Sequence, residues 1–491
     1  MVVLSKAWYF CCLIYFPHHC KTDMTDLERL IAHSPWWVEP EWARDDRSLK
    51  SVRSSNFSFR HLSQKLRRPE NLPPGSVSIV RGPRQVGKTT ELKLLAEDLL
   101  SAGIPPRNIA YYPCDDIIHF RELMDIIKTF VETVRLQGGF GYLMLDEITA
   151  VKDWTRAVKS LVDAGALENI YLLLTGSSAV EIKRGYERMP GRRGHGFDRA
   201  FMPMDFAEFC RAFNMTPPQA ALTDILTDES SFRMYEMEIA GNKNKLDEIL
   251  KKYLQWGGFP MVVADLVRNG SVTEQTMEVY RSVLLSEFEK QRRKVSLILS
   301  LMRKLYAVLG APVSYNSLTQ DTGCRSNAVV QDYLEIFNAA FLGFVVPCID
   351  LVHRRPYPKR EKKFYAIDPI VWKVVAGGAG LPPVHEAALA EHAVAVHLVR
   401  PLADTWASIG SLEGLYYFRS RKGKEVDFVH FITPTGHPFG VEVKYQSRVS
   451  GWDEQSISKG IGQGTLVTRD SFKWNKVCQI PLPAFLLLEN S

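Results

Sequence analysis

Apolar runs of strand length recur through the first part of the chain: SVSIV at 76 to 80, NIAYYPC at 108 to 114, FGYLMLD at 140 to 146 and NIYLLLTG at 169 to 176. Their continuous hydrophobicity predicts strands buried on both faces, as in a parallel sheet. Between them lie segments of helical period: Lys88 to Ala102, with Leu92, Leu95 and Leu99 on one face, then Phe120 to Leu136 and Asp153 to Ala164. Strand alternating with crossover-length helix predicts a doubly wound α/β unit. Beyond Phe209 the pattern turns helical and charged from about 217 to 310, broken by the turn-rich QWGGFP at 255 to 260. Residues 314 to 368 read as two short helices, a strand at 342 to 346, a basic loop and a returning strand KFYAID, which suggests a winged helix. GGAGLPP at 377 to 383 reads as a linker, followed by a helix at 386 to 400, strands at 414 to 419, 425 to 432 and 439 to 445, and an α/β ending. No internal repeat or low-complexity tract interrupts this order.

The chain of 491 residues has room for two to four domains, and 46% hydrophobic with 24% charged residues gives each of them a core to bury. The expected divisions are 1–23, a leader or mis-assigned start; 24–215, an α/β core; 216–295, a helical region; 296–370, the winged helix; and 371–491, the final α/β domain. Net charge changes the picture only when divided. Residues 1–280 hold 35 basic against 36 acidic side chains, whereas 281–491 hold 26 against 19, so the excess of +6 belongs to the second half. That bias favours a polyanionic partner there. Eight cysteines at 11, 12, 20, 114, 210, 324, 348 and 478 form no CxxC pair and are expected to be reduced, cytosolic thiols. The apolar run AWYFCCLIYF at 7 to 16 is too short to span a bilayer, so no membrane partner is expected, and Met24 offers an alternative translation start. His18, His19 and Cys20 lack a fourth metal ligand.

The chemistry begins between the first strand and its helix. Gly82, Pro83, Arg84, Gln85, Val86, Gly87, Lys88 and Thr89 fit GxxxxGK[ST], in the strand-to-helix setting where backbone amides wrap a phosphate. Lys88 supplies charge to the outer phosphates and the Thr89 hydroxyl suits Mg²⁺. YLMLDE places Asp146 at a strand's C-terminal end, where it can join the Mg²⁺ shell, and Glu147 beside it to polarise a water for attack on a γ-phosphate. Thr175, Gly176, Ser177 and Ser178 end the next strand with small polar groups able to sense that phosphate. Arg188, Arg192, Arg193 and Arg199 follow; a guanidinium reaching a neighbouring subunit's nucleotide would act as an arginine finger, with Arg192 the first candidate and Arg193 the second.

Taken with SPWW at 34 to 37, RGPRQVGKTT at 81 to 90, YLMLDEIT at 142 to 149, TGSSA at 175 to 179, PGRRG at 190 to 194, PMDFAEF at 203 to 209 and YLQWGGFP at 253 to 260, the chain resembles a group of archaeal and bacterial AAA+ ATPases. These join a P-loop core to a winged helix and a C-terminal PD-(D/E)XK nuclease-like domain. The resemblance implies an α/β fold: an AAA+ P-loop NTPase core whose parallel sheet has the P-loop strand central, a helical lid, a winged helix and the nuclease-like α/β domain. It also implies ATP and Mg²⁺ as ligands, contacts from Lys88, Thr89 and Thr90, Asp146 with Glu147 as the Walker B pair, Thr175 as sensor, and a homo-oligomer.

In the last domain Glu391 lies on a helix, Asp427 on EVDFVHFI and Glu442-Val443-Lys444 on FGVEVKY. Strand alternation turns Glu442 and Lys444 to one face, and a hairpin brings Asp427 beside them. The arrangement is similar to the PD-(D/E)XK pattern, with Val426-Asp427 where the family has Pro-Asp. As a nuclease site, Asp427, Glu442 and Glu391 would hold a second Mg²⁺ or Mn²⁺ while Lys444 positions the attacking water. The alternative is an amphipathic sheet with a solvent-facing Glu-Lys pair, making the protein an ATP-driven switch whose last domain binds nucleic acid or protein and cuts nothing. Basic segments at 290 to 294, 353 to 363 (HRRPYPKREKK, six Lys and Arg around Tyr357) and 419 to 424 point to DNA as the partner of this half.

Overall fold

The computed structural model describes residues 24–489 apart from 56, 178–190, 291, 378–379, 410–411, 422, 432–435 and 448–450. The apolar run at 7–16, the group at 18–20, Ser178 and Arg188 therefore lie outside the described residues. After α1 (Arg47–Ser54), strands β1 (Val77–Arg81), β2 (Ile109–Pro113), β3 (Gly141–Asp146) and β4 (Ile170–Gly176) alternate with α2 (Lys88–Ser101), α3 (Phe120–Gln137) and α4 (Trp154–Asp163), within a residue or two of the apolar runs that predict them. With the short β5 (Asp198–Ala200) they form one parallel sheet in the order β2-β3-β4-β1-β5. The strand that feeds the phosphate loop is thus flanked on both sides. Ser76 and Ser78, polar residues in an otherwise apolar strand, accept hydrogen bonds from His195 N and Phe197 N (both 3.1 Å), which lays the chain down as β5.

The outer edge of β2 is closed by the SPWW segment. Both indole nitrogens, of Trp36 (2.8 Å) and Trp37 (2.6 Å), donate to Ile109 O, and the Ser34 hydroxyl accepts from Tyr111 N at 3.0 Å. The exposed ladder of an edge strand is a liability, and these three side chains cover it.

Beyond the sheet run α5 (Glu229–Trp256), α6 (Pro260–Asn269) and α7 (Glu274–Lys290), then α8 (Val295–Ala307), α9 (Tyr315–Thr322) and α10 (Asn327–Ala339). An antiparallel hairpin follows, β6 (Gly343–Pro347) with β7 (Lys362–Ala366). The boundary expected at 370 falls inside α11 (Pro369–Gly377), which packs on α7 and α8, so the hairpin leads back into the helical region. The last domain comprises α12 (Glu386–Val399), α13 (Ala403–Ile409), β8 (Leu415–Arg419), β9 (Glu425–His430), β10 (Phe439–Lys444), α14 (Gly451–Gly460), β11 (Gly464–Thr468) and β12 (Val477–Pro481). Its sheet keeps chain order, with β8-β9-β10 antiparallel and β10-β11-β12 parallel. It docks on the first sheet through Asp404, which pairs with Arg199 and accepts from Ala200 N (2.8 Å), and through Arg400, which donates to Pro203 O. No helix among the described residues is long and apolar enough to cross a membrane.

The QWGGFP break is held by Asp368. Its carboxylate accepts from Gly258 N (2.7 Å) and Ile370 N (2.9 Å), tying the α5–α6 turn to the start of α11. Burial pushes this carboxyl up to about 7, against the pull of the two amides and Arg400. A carboxyl raised on folding contributes most below its unfolded value, ~3.9, and that contribution disappears as pH rises through the folded value. Asp368→Asn is therefore expected to flatten the fall in urea midpoint between about pH 5 and pH 7. Equal slopes in the two proteins would place that titration elsewhere.

Candidate functional site

The site begins where β1 ends. A Cβ on Gly82 would lie 2.2 Å from Phe201 O, so only glycine lets the loop leave the sheet here. Gln85 (φ 61°) and Gly87 (φ 104°) then turn the backbone in the left-handed region and start α2 at Lys88, whose first-turn amides have no partners within the helix. Lys88 is buried. Its Nζ donates to Gly82 O (3.0 Å) and Pro83 O (3.1 Å) and stands 3.2 Å from Glu147 Oε1, which spans the loop from rim to rim.

Three elements meet at Asp146, the last residue of β3. Thr89 Oγ1 donates to its Oδ2 at 2.5 Å, Tyr111 OH to the same oxygen at 3.0 Å, and the Thr175 hydroxyl to Oδ1. Thr175 also accepts from Glu147 N (2.9 Å), which helps hold Glu147 in a left-handed conformation (φ 50°), and Ser177 N donates to Glu147 Oε2 (3.2 Å). Burial pushes the Glu147 carboxyl up, but the charges of Lys88 and Arg84 outweigh it and hold the group below its ordinary range. Glu147 is thus an ionised carboxylate at the cavity wall.

Two hollows flank the loop and share Ser48, Gln85, Gly87 and Thr90 in their walls. One, of about 370 Å³, is lined by Arg84, Lys88, Thr89, Asp115, Glu147 and Val283, the last from α7. The other, of about 490 Å³, lies between α1, the loop and α6, with Phe57, Phe59, His61, Thr90 and Met261 in its wall. The His61 ring stacks on Phe201 at 4.1 Å and its Nε2 meets Val86 O at 2.8 Å; burial pushes its pKa down to about 3, so it is neutral. Arg84 reaches α7, 2.8 Å from Glu287. Sequence reading misses His61, Tyr111 and Glu287. Only Tyr111 leaves a trace, as one of two tyrosines ending a strand that is otherwise apolar.

The arginines separate. Arg193 clamps β5 to β1 through Asp198 (2.5 and 2.9 Å), Phe197 O (3.0 Å) and Val77 O (3.3 Å). Arg199 is paired with Asp404. Arg192 pairs with Asp163 at the surface end of α4 (2.5 Å).

In the last domain the side chains of Glu391, Asp427, Glu442 and Lys444 come together. Asp427 N donates to Glu442 Oε2 (3.2 Å), Val443 N to Asp427 Oδ2 (2.9 Å), and Lys444 Nζ sits 2.6 Å from Glu442 Oε1. Between Glu391 and Asp427 lies a residue the sequence assigns to the DNA-facing loop, Lys363 of β7. It is 1% exposed, with Nζ 2.9 Å from Glu391 Oε1 and 2.8 Å from both Glu425 Oε1 and Asp427 Oδ1. Strand parity is the missed signal: Lys363 shares a face with Tyr365, which donates to Glu391 at 2.5 Å. The basic run therefore offers five cations to a partner, not six. Among the described residues no three His, Cys, Asp or Glu side chains stand together as a metal-binding group.

Residues 75–210 match the family model described as an AAA domain, and residues 247–374 match one described as a domain of unknown function (DUF8612). The first match covers the loop, Asp146, Glu147 and Thr175, so this part of the chain is similar to an AAA domain. The second spans the expected boundary at 295. No curated protein matches the chain. Among solved structures, the chain is similar to the Aeropyrum pernix ORC2 protein, at 12% identity over 74% of this chain and 96% of that one, TM-score 0.33. The Aeropyrum pernix ORC1 protein follows at 12% identity, 70% and 96% coverage and TM-score 0.28, and a Thermotoga maritima RuvB variant, T158V, at 13%, 62% and 89%, and 0.23.

Proposed function

We propose that the protein hydrolyses ATP at the β1–α2 loop and couples that cycle to a nucleic-acid-binding C-terminal half. One observation carries the first part: Thr89, Asp146, Thr175, Lys88 and Glu147 form a continuous chain of contacts around the end of β3. Thr89 Oγ1 on the cavity wall and Asp146 Oδ2 buried behind it are hard oxygen donors, and the pair fits a magnesium ion. Held there, Mg²⁺ would supply positive charge to the phosphates. Lys88 and Arg84 supply further positive charge on the cavity wall, Glu147 orients and deprotonates the attacking water, and Thr175 couples the acids of β3 to the end of β4. Phe57, Phe59 and His61, a neutral and largely apolar wall, suit the flat base of the nucleotide in the larger hollow. Calorimetric titration with a slowly hydrolysed ATP analogue and Mg²⁺ tests the site; no heat and no rise in melting temperature would refute it. Arg193 is committed to Asp198 within the sheet, whereas Arg192 pairs only with Asp163 at the surface among its described contacts, so Arg192 is the arginine proposed to serve a neighbouring subunit in an oligomer.

The second part rests on the α8–α10 helices and the β6–β7 hairpin, which follow the order of a winged helix. Its loop exposes Arg354, Arg355, Lys359 and Arg360 around Tyr357. Each cation that meets a phosphate adds about 0.9 to the slope of log affinity against log salt. Replacing all four by alanine is expected to weaken duplex DNA binding and lower that slope by about 3 to 4. Fluorescence anisotropy at several salt concentrations checks it, and an unchanged slope would move the DNA to another surface.

A further inference from the structure

The carboxylates of the last domain are arranged around a cation the chain itself provides. We infer that Lys363 takes the place of a divalent metal in this nuclease-like site, so the domain joins the β6–β7 hairpin to the C-terminal sheet and does not cleave phosphodiesters. The inference is independent of the ATPase reading.

Four observations converge on it. The Lys363 ammonium lies 2.8 to 2.9 Å from oxygens of Glu391, Glu425 and Asp427, so its three N–H donors have three carboxylate acceptors. The rest of its surroundings is aromatic: Tyr417 and Phe428 present their rings to Nζ at 5.8 and 5.9 Å. A divalent ion bridging Glu391 Oε1 and Asp427 Oδ1 would need the space that Nζ holds. Gly310, in the turn after α8, packs against the same cluster, so near that a Cβ there would stand 2.8 Å from Glu391 Oε2. Finally, the fourth acid, Glu442, is engaged by Lys444 at 2.6 Å and by Asp427 N, so the lysine meant to position water is itself an ion-pair partner.

The chemistry of the trade is direct. An ammonium balances carboxylate charge and donates hydrogen bonds, but it has no open coordination position for water or a scissile phosphate and does not generate hydroxide at neutral pH. It is also covalently part of β7, so cluster and hairpin move together. A movement of the basic loop is thereby transmitted to β9 and β10, which carry Asp427 and Glu442.

The test uses the full-length protein and Mn²⁺ as probe, followed by electron paramagnetic resonance and thermal melting without nucleotide. The wild type is expected to show no Mn²⁺ binding that Asp427→Asn removes, and no metal-dependent cleavage of plasmid or single-stranded DNA that Lys444→Ala removes. Either signal would overturn the inference. Lys363→Met leaves three carboxylates around a void; it is expected to lower the melting temperature by several degrees and to recover part of that loss on adding Mn²⁺, which the wild type does not. A Lys363→Met protein as stable as the wild type would also overturn it. Should that variant fail to fold, the wild-type Mn²⁺ titration against Asp427→Asn decides alone, and does so whether or not the protein hydrolyses ATP.

Discussion

Replacing Lys88 by alanine is expected to reduce ATP turnover by at least ~10²-fold, the scale on which preorganised charge at a reacting phosphate acts. The smaller hollow is lined by Asp115 and Glu147, with Asp146 behind them, against two cations, Arg84 and Lys88. Arg84 is already paired with Glu287. Without Lys88, a triphosphate would enter a cavity whose acids outnumber its cations, and binding as well as turnover should fail. Glu147→Gln should behave differently. It removes a negative charge 3.2 Å from Lys88 while keeping an acceptor for Ser177 N and leaving the bond from the residue's own amide to the Thr175 hydroxyl in place, so nucleotide affinity is expected to hold or rise as hydrolysis is lost. Phosphate release and calorimetry on the two variants separate these outcomes. Wild-type turnover in Lys88→Ala would mean that the phosphates lie elsewhere.

The positions of these residues are legible in the sequence because they are set locally. GPRQVGKT needs only the strand before it and the helix after it, and both follow from hydrophobic runs that match β1 and α2 within a residue or two. Asp146 and Thr175 are each the end of a buried strand, and parallel pairing of β3 with β4 brings two such ends together without further information. The strand order itself is not legible. It depends on crossovers in which the hydroxyls of Ser76 and Ser78, hidden within an apolar run, fix where β5 is laid.

What the sequence hides is charge whose partner is remote. Lys363 reads as one more cation in HRRPYPKREKK, and only a contact 64 residues away in the chain, to Asp427, turns it inward. Glu287 looks like an ordinary helical acid until α7 is placed over Arg84. His61 lies in a stretch with no periodicity, and its role against Val86 comes from stacking on Phe201, a residue of another segment. In each case the residue type suits solvent, and tertiary packing alone removes it from solvent. A buried charge is tolerated only where partners are already in place, so these positions are where pattern reasoning fails and where coupling between the units resides.

Gly257→Ala is expected to destabilise the folded chain by roughly 3 kcal/mol or more, through two separable terms. Gly257 has φ 76° and ψ −164°, a region open to glycine and costing other residues ~1–3 kcal/mol. An added Cβ would also lie 1.9 Å from Asp368 Oδ1, so the carboxylate must leave, abandoning its buried bonds to Gly258 N and Ile370 N at ~1–3 kcal/mol for each amide left unpaired. Moving the turn away is resisted from behind, where Met204 N bonds Gly258 O at 2.8 Å and a Cβ on Gly258 would meet Met204 O at 2.1 Å. The turn is therefore clasped between the first sheet's outgoing segment and the start of α11. The two terms separate in a double-mutant cycle. Asp368→Ala alone should cost the hydrogen-bond term, and Gly257→Ala on that background only the backbone term, because the clash has gone; the double variant is then less destabilised than the sum of the singles. Urea denaturation measures all four proteins. Additivity within ~0.5 kcal/mol would mean that Gly257 and Asp368 act separately, and that the α5–α6 turn is held to the C-terminal half by other contacts.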